Sequence, residues 1–135
     1  MQLTRAADYG VRVMIHLAGV GSAKRTSLLD IAQAVEVPEQ FLSKVLQMLC
    51  KRGFIRSHRG VNGGFELAAD ARTLSLLDVV EALEGPIQLN VCVGERGVCS
   101  RKAWCPAHKV WVEAQGALVG ILRRACIADL ARQAV

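Results

Sequence analysis

The sequence predicts a mainly α-helical fold with one small β-hairpin, a winged helix-turn-helix followed by a long dimerisation helix, and three observations predict it. Two short amphipathic segments, opening at Ser27 and at Pro38, are separated by a tight turn at Glu36-Val37. A Gly-rich hairpin follows them directly, inside a basic stretch. A long apolar stripe, Trp111, Ala114, Leu118, Ile121 and Leu122, then marks a helix too apolar to stand alone in water.

Size and charge set the frame for these elements. At 135 residues the chain holds one compact domain, or a small domain plus an extended helix that a partner covers. Although 52% of the residues are apolar, no run approaches the about 18 uninterrupted apolar residues of a membrane span, so no membrane partner is expected. Met1-Gln2-Leu3-Thr4-Arg5 begins no secretory signal and the five cysteines are an odd number, which together predict a reducing cytoplasmic setting and argue against a disulfide framework. The formal net charge of +5 favours an acidic partner. Its placement says more: from Gln40 to Phe65 stand Lys44, Lys51, Arg52, Arg56 and Arg59, with no acidic residue between them. A basic face can be mere solvation, but one carried on a helix-turn-helix points to nucleic acid.

In chain order, Leu3, Ala6, Gly10, Val13, Met14 and Leu17 recur at three- and four-residue steps and predict one core stripe of a first helix, which the Gly19-Val20-Gly21 breaker ends. Asp8 lies off that stripe, one turn before Arg12, where an i,i+4 ion pair is its ordinary explanation. Ser27-Leu28-Leu29-Asp30 has the form of a capping box and opens a short helix through about Val35. Pro38 suits the first position of the next helix, whose Leu42, Val45, Leu46 and Leu49 form the buried stripe. In a helix-turn-helix the second helix lies in the major groove and its exposed N-terminal residues meet base edges, so Gln40, Phe41, Ser43 and Lys44 are the candidate readers.

Lys51-Arg52-Gly53 stops that helix, Phe54–His58 reads as a strand and Phe65-Glu66-Leu67 as its return. Between them, Arg59-Gly60-Val61-Asn62-Gly63-Gly64 has three glycines and an asparagine that permit positive φ and close backbone approach, while Arg59 can reach into a narrow minor groove. With the helix N-cap and the strand and wing residues added, the candidate DNA contacts are Ser27, Gln40, Phe41, Ser43, Lys44, Gln47, Arg56, Arg59 and Asn62. Ser75-Leu76-Leu77-Asp78 repeats the capping signal for a helix that Gly85-Pro86 ends. Beyond a loop, the long helix is expected from roughly Ala107 to Arg124, paired with its copy in a second chain, before a closing segment that begins at Asp129-Leu130.

The intervening loop concentrates the metal-ligating side chains. Cys92, Cys99 and Cys105 are separated by six and then five residues, and His108 follows three residues later. The segment between them lacks helix or strand periodicity, so it reads as a loop holding thiolates, donors that favour zinc, copper(I) or an iron-sulfur cluster. A structural three-Cys, one-His zinc site stays open, although zinc modules usually space paired ligands by about two to four residues. Free or redox-active thiols are the remaining reading. Cys50 and Cys126 lie among apolar neighbours and read as small buried hydrophobes. The chain divides into a DNA-binding domain over 1–85, whose first helix also packs at the dimer, a cysteine loop over 86–106, and the dimerisation helix with its C-terminal segment over 107–135.

With these parts in order, the chain resembles the IscR/NsrR family of bacterial iron-sulfur transcription regulators over nearly its whole length. Leu3-Thr4 with Asp8-Tyr9-Gly10, Arg59-Gly60-Val61-Asn62-Gly63-Gly64, Ser75-Leu76-Leu77-Asp78-Val79-Val80, and Cys92, Cys99, Cys105 with His108 carry the resemblance. It implies a homodimeric winged-helix repressor or activator whose cluster state controls operator binding. For the fourth ligand, His108 matches the histidine of the IscR branch and Asp8 the aspartate of the NsrR branch. Local His108 suits a [2Fe-2S] cluster within one chain, whereas Asp8 suits a labile [4Fe-4S] cluster reached across the dimer; His108 and [2Fe-2S] are favoured.

The function expected is therefore a regulator, a repressor in preference to an activator, that binds a pseudo-palindromic double-stranded operator as a homodimer and senses iron, nitric oxide or redox state. The alternative is a winged-helix regulator using zinc or cluster-free redox thiols. An electron-transfer protein fits less well, since a carrier has no use for a recognition helix and basic wing. No nucleophile with an adjacent base stands out, so enzymatic activity is not expected.

Overall fold

Thr4 begins the fold. Its hydroxyl accepts from the Ala7 N–H at 3.2 Å, which satisfies one of the free donors of helix α1 (Arg5–Val20). The helix closes at Gly21, where φ is 101° and the amide donates back to the Leu17 carbonyl. Gly10, Val13, Met14 and Leu17 are buried along one face, as the spacing predicts, but Ala7 is buried there in place of Ala6, which is only half-buried. Leu3 departs from that expectation: it precedes the first turn and is exposed, so the core stripe starts inside the helix.

The computed structural model describes residues 2–134; Met1 and Val135, the outer ends of the first and last expected segments, lie outside the described residues. Helix α2 (Leu28–Val35) is capped by Ser27, whose hydroxyl accepts from the Asp30 N–H at 3.1 Å. The reciprocal bond expected of a capping box is absent there and complete at Ser75, where Asp78 also accepts from the Ser75 N–H at 2.8 Å. Glu36 ends α2 with φ 56°, a left-handed residue that turns the chain sharply toward α3 (Glu39–Lys51). Pro38 stands one position earlier than expected, as the residue before the first helical turn.

The wing is β1 (Ile55–His58) paired antiparallel with β2 (Gly64–Leu67), in the register Ile55 opposite Leu67 and Arg56 opposite Glu66. Helix α4 (Leu76–Glu84) follows, then a loop with one 3-10 turn at Val91–Val93, then α5 (Pro106–Arg124) and α6 (Ile127–Gln133). The closing segment thus begins two residues before Asp129, and it is a helix that returns to α1 rather than a tail. Ile127 is wholly buried beside Val13, Met14 and Leu17 of α1, Ile31 of α2, Leu42, Leu46 and Leu49 of α3, and Val79 of α4. Gly10 lets α1 and α4 touch, because a Cβ there would collide with Leu83.

Two cysteines correct the sequence reading. Cys50 on α3 packs against the core but is only part-buried, with its thiol pushed up by burial. Cys126 precedes α6 and is also part-buried, its thiol donating to the Ala71 carbonyl at 3.2 Å. No described helix is long and apolar enough to cross a membrane.

Candidate functional site

Two separate regions concentrate polar chemistry. On α3, the buried stripe leaves Gln40, Phe41, Lys44 and Gln47 exposed on the opposite face, because residues three and four apart share a side of a helix. Phe41 stays 53% exposed, an apolar ring held in water on the face that would meet bases. Ser43 is half-buried and donates to the Glu39 carbonyl at 3.1 Å, so its hydroxyl proton is used within the helix. Ser27, half-buried, spends one lone pair on its own cap.

The wing brings Arg56, Arg59 and Asn62 into the same exposed set. Its turn is closed by the Gly63 N–H on the Gly60 carbonyl at 2.9 Å, with φ 98° at Gly60. Sequence periodicity misses the third partner of this sheet: Thr26 exchanges both backbone bonds with Phe65, each 2.8 Å. A single paired residue has no period to detect. It carries Lys24 and Arg25 to the wing, both exposed, and Arg25 Nη1 donates to the Asn62 carbonyl at 3.3 Å. The basic pair just ahead of the Ser27 cap is the signal that could have found them.

Glu66 organises the charges at the base of the wing. Its carboxylate lies 2.7 Å from His58 Nε2 and 3.3 Å from Arg56, its cross-strand partner, and its side chain is 13% exposed. The hydrogen bond from His58 chiefly holds the Glu66 carboxyl below the usual carboxylate range, with smaller help from Arg56 and Arg25. Because the folded value lies below the unfolded one, this contribution is full above the unfolded pKa of about 4.3 and fades as pH falls through the folded value. Glu66→Gln is therefore expected to melt below the wild type at pH 7, with the gap closing toward pH 3. A gap unchanged at pH 3 in thermal melts would refute the pairing.

The second region is the cysteine loop. Cys92, in the 3-10 turn, is buried, Cys99 is exposed, and Cys105 is half-buried immediately before α5. Cys92 and His108 line one cleft of about 370 Å³ with Lys102, Val112 and Gln115. Cys99 and Cys105 are not among its lining residues, and no three His, Cys, Asp or Glu side chains converge at metal-binding range among the described residues. His108 Nδ1 is buried without a hydrogen-bond partner. Such a nitrogen is costly to bury unless an electron-pair acceptor or a proton partner meets it, and three thiolates with an imidazole match the donor preferences of iron or zinc. On chemistry the residues fit such a group, with two of the four donors already facing one cleft.

Gln115 fastens this loop to α5 on both sides of Cys92. Its side-chain oxygen accepts from the Leu89 N–H at 2.9 Å, and its amide donates to the Val93 carbonyl at 3.1 Å. Asp8, the alternate ligand, sits in the first turn of α1 and pairs with Arg12 at 2.8 Å, both side chains about half-exposed. That is the ion pair the spacing predicts.

Comparison with known proteins bears on both regions. Residues 3–133 match the Rrf2 family, described as an iron-dependent transcriptional regulator. The protein rrf2 of Nitratidesulfovibrio vulgaris is 36% identical over 137 residues, covering 99% of this chain and 89% of that protein. CymR (YrzC), the global cysteine regulator of B. subtilis, superposes with a TM-score of 0.80 at 28% identity, covering 98% of each chain. An oxidized form of CymR from Staphylococcus aureus gives 0.76 at 27%, covering 97% of this chain and 96% of that one. IscR of T. potens gives 0.80 at 24% identity, covering 100% of this chain and 89% of that one, a likeness of fold.

Proposed function

This chain belongs to the Rrf2 family of transcriptional regulators, and from that premise we propose that it binds operator DNA as a homodimer through α3 and the wing, under the control of an iron-sulfur cluster. The observation that supports the DNA reading is the division of α3: one face is wholly buried, and the other holds Gln40, Phe41, Lys44 and Gln47 in water beside a basic wing. A helix presented in this way enters a major groove, and the wing lies along the flanking backbone.

The surface of α5 supports dimerisation through this helix. None of its 19 residues is buried, and Val110, Trp111, Val112 and Ile121 are exposed at 41–60%. A second copy of the chain covers this face, and the two-fold axis sets two recognition helices about one turn of DNA apart. The operator is then a pseudo-palindrome.

Cys92, Cys99, Cys105 and His108 are the residues that would hold the cluster, and the lone buried His108 Nδ1 supports the fourth assignment. When bound, the cluster supplies redox chemistry and a visible chromophore, with [2Fe-2S] favoured over [4Fe-4S]. Gln115 ties the loop to α5, α5 packs on α4, and α4 packs on α1 and α3. A rearranged loop therefore has a packed route to the recognition helix, and a small tilt of two such helices costs specific contacts without unfolding either protomer.

A second reading keeps the DNA interface and replaces the cluster with zinc or bare thiols. Cys99 is exposed and stands apart from the Cys92 cleft, and an oxidized form of the similar S. aureus CymR exists. Absorbance of anaerobically purified protein, with iron, sulfide and zinc counts, separates the readings: colour with iron and sulfide supports the cluster, zinc alone or no metal supports the other.

The DNA interface has its own test. Lys44→Ala and Arg59→Ala are each expected to weaken operator binding by about 1 to 3 kcal/mol if the side chain touches bases, or to lower the salt slope by about one if it touches phosphate. Unchanged affinity and slope in both variants would overturn the docking.

A further inference from the structure

Three arginines around the wing and the first helix have their charge answered by a carboxylate. Arg56 faces Glu66 at 3.3 Å, Arg72 pairs with Asp70 at 2.9 Å, and Arg12 pairs with Asp8 at 2.8 Å. Arg25 differs. Its one side-chain bond among the described residues is to a neutral acceptor, the Asn62 carbonyl; Glu66 attracts its charge from beyond ion-pair range, and four of its five N–H groups are free to donate.

Its place at the wing is fixed twice over. The paired backbone bonds between Thr26 and Phe65 form an antiparallel bridge at the edge of the two-stranded sheet, and its register sets Arg25 in one row with Glu66 and Arg56. The side chain then reaches to the turn and takes hold of Asn62. Gly64 makes the approach of this segment feasible, because a Cβ there would stand 2.6 Å from the Thr26 carbonyl oxygen. A long cation is thus pinned at its base by the sheet and near its head by the wing tip, with exposed Lys24 beside it. Its planar fork suits two oxygens of one phosphate, and pinning lowers the side-chain entropy lost on binding.

We propose that Arg25 is a phosphate-binding residue of the DNA interface, its guanidinium held against the wing by Asn62 so that its free N–H groups meet the duplex backbone. The proposal rests on the DNA reading above. It adds a contact from the link between α1 and α2, outside both the recognition helix and the wing turn.

The test uses the full-length protein and a random-sequence duplex of about 30 base pairs, since phosphate contacts need no operator. Affinity is titrated across potassium chloride, and the slope of log K against log salt is compared among variants. Arg25→Ala is expected to lower the slope by about 0.9 for each protomer in contact, and Arg25→Lys to keep it. Arg25→Gln retains an N–H for the Asn62 carbonyl but no charge, and its slope should fall as in the alanine variant. An unchanged slope in Arg25→Ala overturns the proposal. So does a wild-type slope in Arg25→Gln alongside a loss in Arg25→Ala, because Arg25 would then act only through wing position. Should the alanine variant fail to fold by circular dichroism, the glutamine and lysine variants carry the comparison. Absence of duplex binding by the wild type at low salt would instead sink the DNA reading beneath it.

Discussion

Anaerobically purified Cys92→Ala, Cys99→Ala and Cys105→Ala proteins are each expected to be colourless, with iron and sulfide lost, because three thiolates leave no spare ligand. Cys126→Ala should keep the chromophore. Its thiol is engaged with the Ala71 and Arg72 carbonyls at 3.2 and 3.4 Å, a fastening of α6 that has no part in the loop. Full iron and sulfide in any of the first three would remove that cysteine from the ligand set. The fourth position is resolved by a pair of variants. His108→Ala should reshape or destabilise the cluster while Asp8→Ala leaves it intact and merely frees Arg12; the reverse pattern would transfer the protein to the aspartate-ligated branch.

Gly64→Ala is expected to damage the wing heavily. The residue has φ 142°, and the new Cβ would lie 2.6 Å from the Thr26 oxygen and 3.3 Å from the Ser27 nitrogen. Both obstacles are backbone, so no rotamer change relieves them. Strain of this kind costs about 1 to 3 kcal/mol, and relief requires parting Thr26 from Phe65. Hydrogen exchange at the Phe65 amide should accelerate, and duplex affinity should fall about ten-fold or more as the wing loses its bridge to Thr26. Gly60→Ala is the comparison: its φ of 98° carries conformational strain, but nothing stands within 4 Å of the added Cβ. Equal effects in the two variants would show that backbone approach at residue 64 is unimportant.

These two sites also mark how far the sequence could be read. The apolar spacings of α1, α3 and α4 survive folding almost residue for residue, because a buried stripe imposes a period on many positions at once. The Arg59–Gly64 turn was legible for a similar reason, since glycine and asparagine are what its backbone requires. Thr26 was not, because one bridged residue leaves no pattern. Leu3 continued a periodic stripe but stands before the Thr4 cap, where the helix no longer dictates its direction. The intervals between Cys92, Cys99 and Cys105 fix how far the thiols can reach, yet they do not bring them together. Only Cys92 and His108 share a cleft, through a 3-10 turn and a glutamine on α5 that carry no cysteine signature.

The bare surface of α5 has a consequence for the cell as well as for the molecule. If a second copy of the chain covers this 19-residue helix, none of whose residues is buried, the active form is subject to mass action. Where the protein is scarce relative to its dimer dissociation constant, halving its concentration leaves about a quarter of the dimer. Operator occupancy would then follow growth rate and gene dosage even at constant iron and redox state, and the concentration at which that response sets in would be fixed by the few apolar side chains around Trp111.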